Sequence, residues 1–172
     1  LGADGVRLVP FDASHLDDIV RLIEDPDVLR FTRIPEPPPD GFARQWLARY
    51  ENGRRDGSCE AFAAVATDGA FLGLALAPTI DREGGEVELG YIVGPWARGR
   101  GVGAEMLAQM TRWAFATAGA HRVYLIISVD NPASEKVAER CGYVREGVMR
   151  SIHLKDGVRV DASLWSRLPT DG

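Results

Sequence analysis

The chain is poor in the residues that mark disulfide scaffolds, metal centres, membrane spans and nucleic-acid interfaces. Only two of its 172 residues are cysteine, Cys59 and Cys141, which is too few for a disulfide framework or a thiolate metal set. Cys141 stands just before Gly142, where a helix is expected to end, and reads as a packed apolar thiol. Three histidines, His15, His121 and His153, are scattered without ligand spacing and read as structural or surface residues, so no metal is expected. No run approaches the roughly 18 apolar residues that cross a bilayer. Leu1–Pro10 lacks the basic-then-apolar layout of a secretion signal, so the expected location is cytoplasmic, with no membrane partner. Net charge is −5 and there is no lysine-rich cluster. The nearest basic neighbours, Arg54/Arg55 and Arg98/Arg100, are too few for a nucleic-acid footprint.

What is present is the composition of one globular domain spanning 1–172, with 45% hydrophobic and 26% charged residues. Val6–Phe11 reads as a strand. Asp12 or Ser14 caps a helix with Leu16, Ile19, Val20, Leu22 and Ile23 on one face, stopped near Pro26. Arg33–Pro39 carries four prolines and is expected to be irregular, because proline fixes φ and offers no N–H. Asp40 then caps a second helix with Phe42, Trp46, Leu47 and Tyr50 inward. Three hairpin-linked strands follow: Ala61–Ala66, Phe71–Ile80 and Glu86–Val93, turned at Asp68-Gly69 and Asp81–Gly85. A long helix carries Val102, Met106, Leu107, Met110, Trp113 and Ala114 and ends at Gly119. Val123–Val129 is almost wholly apolar and reads as a strand buried on both faces. Ser134–Cys141 is a short helix, and Tyr143–Arg150 and Arg159–Leu168 are the last strands, turned at Asp156-Gly157. The order β-α-α-β-β-β-α-β-α-β-β predicts an α/β fold, a mixed sheet with helices on both sides.

Chemistry concentrates in the loop from Gly94 to Ala104. A helix begins there, and its first turn has unpaired N–H groups at the positive end of the dipole. Gly99, Gly101 and Gly103 keep side chains out of the way, Val102 and Ala104 are small, and Arg98 and Arg100 add forked donors. These features converge on a diphosphate site. The plain alternative is a glycine-rich connector, which the interleaved arginines disfavour. Gly99-x-Gly101-x-x-Ala104 formally satisfies a dinucleotide fingerprint, but five residues separate it from the preceding strand, and that strand is hairpin-linked. A P-loop is excluded by the missing Gly-Lys-Ser/Thr.

Arg98-Gly99-Arg100-Gly101-Val102-Gly103 resembles the R/Q-x-x-G-x-G/A motif of the GNAT superfamily of N-acetyltransferases, placed between the fourth strand and the third helix as in that family. Glu88-Leu89-Gly90-Tyr91, Asn131-Pro132-Ala133-Ser134, Cys141-Gly142-Tyr143 and Arg145-Glu146-Gly147 are similar to motifs of its RimJ/RimL-like ribosomal-protein acetyltransferase subgroup. So is Arg30-Phe31-Thr32 with the proline loop that follows it. The match covers nearly the whole chain. It implies the GNAT acyl-CoA acyltransferase fold, acetyl-CoA as co-substrate, and direct transfer to a primary amine in a ternary complex. The acceptor expected first is a protein N-terminal α-amine, and next a small amine such as an aminoglycoside, polyamine or amino-acid derivative.

The resemblance also assigns roles. The fourth strand would splay from the fifth, so that Ile92 and Val93 offer main-chain contacts to the pantetheine arm and one N–H polarises the thioester carbonyl. Glu88 is the candidate general base, against the simpler reading that it pairs with an arginine of a neighbouring element. Asn131 holds the pantetheine or caps the helix that Pro132 begins. Ser134 is the candidate donor to the departing sulfur, because the tyrosine that many relatives place seven residues after this asparagine is here Ala138. That gap supports a rival from another class, a non-catalytic acyl-CoA sensor. Tyr143 reads as core packing. Glu36, Asp40 and Asp161 are the acids expected to meet a cationic acceptor. A homodimer is left open as an assembly.

Overall fold

A computed structural model describes residues 5–171, so the N-terminal segment weighed above falls partly outside it. Among the described residues seven strands form one mixed sheet in the order β1-β2-β3-β4-β5-β7-β6. They are β1 (Arg7–Pro10), β2 (Glu60–Val65), β3 (Phe71–Asp81), β4 (Glu86–Val93), β5 (Arg122–Ser128), β6 (Val144–Lys155) and β7 (Val158–Arg167). The described residues also form the helices α1 (Leu16–Leu22), α2 (Pro26–Phe31), α3 (Phe42–Asp56), α4 (Val102–Ala116) and α5 (Pro132–Arg140). Strand alternation divides the core. Val87, Leu89, Val123, Leu125 and Ile127 join Met106, Leu107 and Met110 on the α4/α5 face. Ala61, Ala63, Leu74, Leu76 and Ile92 join Ile19, Leu22, Trp46 and Tyr50 on the α1/α3 face. Among the described residues no helix is long and apolar enough to cross a membrane.

The α/β layout and the element order are as expected, with one addition and three changes of detail. Pro26 does not merely end a helix. It occupies the first turn of α2, where its missing N–H costs nothing, and Asp25 caps that helix by accepting from Val28 N at 2.9 Å. Asp40 does not cap α3; Gly41 does, in the left-handed conformation. β5 is not buried on both faces: Tyr124, Ile126 and Ser128 alternate with fully buried neighbours and are only half-covered. β6 runs past Arg150 to Lys155 across an irregularity between Met149 and His153. Ser151 takes φ 53° inside it, and Asp161 Oδ1 holds it by accepting from Ser151 N at 2.7 Å.

A second irregularity shapes the sheet centre. Leu76 pairs with Gly90 but Thr79 pairs with Glu88, so β3 carries one residue more than β4 opposite Leu89. Pro78, which cannot donate to a ladder, sits in that bulge. The bend coincides with the end of the β4–β5 pairing, which covers only Glu86↔Arg122, Val87↔Val123 and Glu88↔Tyr124. Beyond Glu88 the two parallel strands part.

Candidate active site

The parting of β4 and β5 opens a cavity of about 1200 Å³ that reaches both faces of the sheet. Its walls include Trp46 and Tyr50 of α3 on one side and Gly103 and Ser134 on the other. Gly94 N donates to Leu72 O at 2.8 Å, so alternation makes Leu74 and Ile92 the next bonded pair of the β3–β4 ladder. The expectation for Ile92 is corrected here: its main chain serves β3, and it is Tyr91 and Val93 whose main-chain groups face the gap.

The loop entering α4 is held firmly. Pro95–Ala97 form a tight turn, Trp96 Nε1 donates to Phe71 O at 2.7 Å, and Arg21 stacks 3.5 Å over the Trp96 ring. Gly101 caps α4 at φ 78°, a conformation that costs other residues roughly 1–2 kcal/mol. Glu105 N makes the first intrahelical bond, to Gly101 O. Among the described residues the N–H groups of Val102, Gly103 and Ala104 have no protein acceptor, as the first turn of any helix requires unless something caps it. Gly103 has a further reason to lack a side chain: a Cβ there would stand 3.1 Å from Tyr91 Cε2 and 3.4 Å from Val93 Cγ2. The two guanidinium groups, expected to converge on this helix end, do not. Arg98 is paired with Asp25 and, at 3.2 Å, with Asp27, while Arg100 donates to Trp96 O at 2.8 Å. Arg98 therefore fastens the loop to α2. Burial works to raise the Asp25 carboxyl, but Arg98 and the Val28 N–H outweigh it and hold it below its ordinary value.

Across the gap, Asn131 caps α5, its Oδ1 accepting from Ser134 N at 3.1 Å. Ser134 Oγ lies 2.9 Å from Tyr91 Oη, a contact the sequence did not disclose. Burial pushes the Tyr91 hydroxyl up to about 12, against the opposing Ser134 bond, so it keeps its proton at neutral pH. Ala138 is fully buried in the core, while Ser134 and Tyr91 both bring hydroxyls to the cavity. Tyr143 is buried as expected, with its hydroxyl 2.6 Å from Thr111 Oγ1.

Glu88 stands where the strands part, only 8% exposed. Oε1 accepts from Arg33 at 2.9 Å and Oε2 from Thr79 at 3.3 Å, so the arginine-pair reading is observed and the carboxylate still lines the cavity. Arg33 comes from the loop after α2, and no local pattern could connect it with a residue 55 positions on. His153, expected to be structural or at the surface, lines the same cavity. Burial and the Arg33 charge lower its pKa, with Glu88 opposing. The irregularity between Met149 and His153 breaks the alternation of β6, so the sequence pattern does not show which face His153 takes. The acids expected to meet the acceptor lie elsewhere. Glu36 and Asp40 line a separate cavity of about 620 Å³ beside α1, and Asp161 holds Ser151. Lys155 Nζ donates to Ile34 O, tying the β6–β7 tip to the Arg33 loop over the cavity.

A family profile described as an acetyltransferase (GNAT) domain matches residues 6–144. The chain belongs to the GNAT acetyltransferase family. Its activity is accordingly acetyl-CoA-dependent N-acetyl transfer. The bare α4 N-terminus, the close glycine and the parted strands fit such a co-substrate. The uncharacterized N-acetyltransferase p20 of Bacillus licheniformis is 22% identical over 169 residues, covering 98% of this chain and 95% of that protein. Spermidine N-acetyltransferase from Vibrio cholerae, solved with CoA and spermine, superposes with a TM-score of 0.85 at 20% identity, covering 97% of each chain. The ribosomal L7/L12 α-N-protein acetyltransferase RimL, solved with coenzyme A, superposes with a TM-score of 0.87 at 19% identity, covering 98% of this chain and 96% of that one. The GNAT fold and the resemblance to RimL-type enzymes read from the sequence thus agree with the comparisons.

Proposed function

We propose that the chain works as one GNAT domain that passes acetyl directly from acetyl-CoA to the α-amine of a protein or peptide N-terminus, both reactants being held together. The observation that carries this reading is Glu88, a carboxylate placed where β4 leaves β5, between a bare helix N-terminus and an open cleft. Acetyl-CoA supplies an acyl carbon activated as a thioester. The N–H groups of Val102, Gly103 and Ala104 receive the diphosphate, and Gly99 and Gly101 leave its approach clear. Arg98 and Arg100 hold the loop in shape. Main-chain groups of Tyr91 and Val93, next to Ile92, line the path of the pantetheine arm, with Asn131 on the opposite lip. One of these N–H groups steadies the negative charge developing on the carbonyl oxygen. The Ser134 hydroxyl, oriented by Tyr91, donates to the departing sulfur.

Glu88 takes the proton of the amine directly or through one water. One of its oxygens accepts from Arg33 and the other from Thr79. An α-amine near pKa ~7.7–8.0 needs only about one unit of help at pH 7, whereas a lysine-like amine at ~10.4 needs about three. The preference for an α-amine rests on that comparison, and RimL, a protein α-amine acetyltransferase by name, is among the fold neighbours. Ala138, which supported the sensor alternative, faces the core, and two hydroxyls stand at the cavity wall in its stead. Incubation with acetyl-CoA and a panel of peptides and small amines, following free thiol, decides the matter. Thiol release with peptide amines is expected. Coenzyme A binding with no release by any amine would make the protein a sensor.

A further inference from the structure

The acceptor end of the cleft is basic although the chain as a whole carries −5. Arg30 from α2, Arg33, Arg49 from α3 and Lys155 from the β6–β7 tip all line it. Three of the carboxylates lining the cavity are already engaged, Glu88 with Arg33 at 2.9 Å, Asp156 with Lys155 at 3.4 Å and Asp27 with Arg98 at 3.2 Å, while Asp130 stands beside Asn131 at the α5 lip. Among the described residues neither Arg30 nor Arg49 has a carboxylate within 4.0 Å. Arg30 lies 4.9 Å over Phe31 and Arg49 lies 5.4 Å from the Tyr50 ring, donating one N–H to Pro78 O at 3.3 Å. Each guanidinium has five donors in a fixed fork, so among the described residues most of these donors have no protein acceptor.

Resting on the acetyl-transfer reading above, we infer that the accepted molecule is zwitterionic, with a carboxylate or phosphate close to the amine that is acetylated. The Glu88–Arg33 pair is the mirror complement of such a molecule. Its ammonium group meets Glu88 while its anion meets Arg33, and the protein's one ion pair is exchanged for two crossed pairs. Arg49 and Arg30 extend the anion side with forked donors that match carboxylate and phosphate geometry. A polycation finds the reverse: a Glu88 carboxylate already bonded to Arg33, with the guanidinium groups of Arg30 and Arg49 nearby to repel its further charges.

Matched acceptor pairs test this with thiol release as the readout. The pairs are phenylalanine against its amide, O-phosphoethanolamine against ethanolamine, and a tripeptide amide with aspartate at its second position against the asparagine counterpart. Spermidine is run beside them. In at least one pair the anionic member is favoured by about tenfold or more in kcat/KM, the scale of one charge-assisted hydrogen bond. Which pair responds identifies a free carboxylate, a phosphate or an acidic peptide. The double variant Arg30→Gln/Arg49→Gln brings that ratio to within about threefold of one. Equal rates across all three pairs, preference for spermidine, or an undiminished ratio in the folded variant overturns the inference and leaves acetyl transfer standing. If no amine releases thiol while coenzyme A still binds, both readings fall.

Discussion

Replacing Glu88 with glutamine separates a base from a structural partner. Glutamine keeps the shape and one oxygen acceptor, so the bond from Arg33 or from Thr79 can persist. What is lost is the charge. Arg33 is 61% exposed along its side chain, so solvent screens that pairing and the loss costs about 1 kcal/mol or less. For a domain of this size that is a fall in Tm of roughly 2–4 °C. The catalytic loss is far larger if Glu88 removes the proton, about 10²–10⁴ in kcat/KM, or roughly 3–5 kcal/mol of barrier. The assay is initial thiol release at saturating acetyl-CoA across pH 6–9, with coenzyme A affinity measured in parallel. At pH near 7 the variant is slow. The deficit narrows as pH passes the amine's own pKa of about 8, because solvent then supplies the neutral amine. A variant within about threefold of the parent at pH 7, with the same pH profile, would refute the assignment and leave Glu88 as nothing more than the anchor of Arg33.

The loop, the α2 clamp and the cavity histidine give three further expectations. Gly101→Ala forces a β-carbon onto φ 78° beside the bare N–H groups; calorimetry is expected to show coenzyme A binding weakened about tenfold or more, and an unchanged Kd would move the diphosphate elsewhere. Arg98→Gln is expected to lower Tm by about 2–4 °C at pH 7 while altering coenzyme A affinity less than about threefold, since the guanidinium is held by Asp25 and Asp27. The Asp25 pKa is depressed below 3.8 in the fold, so this stabilisation is present above that pH and fades as pH drops through the folded value; a Tm gap that persists in stronger acid contradicts the clamp. His153 titrates below its ordinary 6.5 in the folded chain, so the unfolded chain binds more protons as pH falls below 6.5 and stability declines there. Urea titrations at pH 7.5 and pH 5 are expected to show a smaller acid loss for His153→Gln, and equal losses would remove His153 from that role.

Local chemistry wrote much of this fold into the sequence. The bounds of β4 were legible from its apolar run between two turns, the α4 stripe from its periodicity, and the Asn131 cap from the proline after it. Pro26 is ambiguous in the sequence, because the same missing N–H that ends a helix also suits its first turn, and the Asp25 cap is the cue that decides it. The far half of β6 was hidden because a bulge with a positive φ at Ser151 breaks the alternation that a strand reading depends on. β5 looked buried on both faces because Ile126 is apolar, yet that face borders the cavity. For the site, the residue types were readable and their partners were not. Arg33 meets Glu88, Arg98 meets Asp25 and Tyr91 meets Ser134 across 43 to 73 positions, and only tertiary packing makes such encounters.

The bulge at Pro78 has a consequence for traffic. Beside it β4 leaves β5, and a doorway opens through a wall that would otherwise be sealed by hydrogen bonds, with the α4 N-terminus on one threshold and α3 on the other. On the proposed reading, with acetyl-CoA entering past α4 and the amine past α3, neither reactant need wait for the other to arrive or leave.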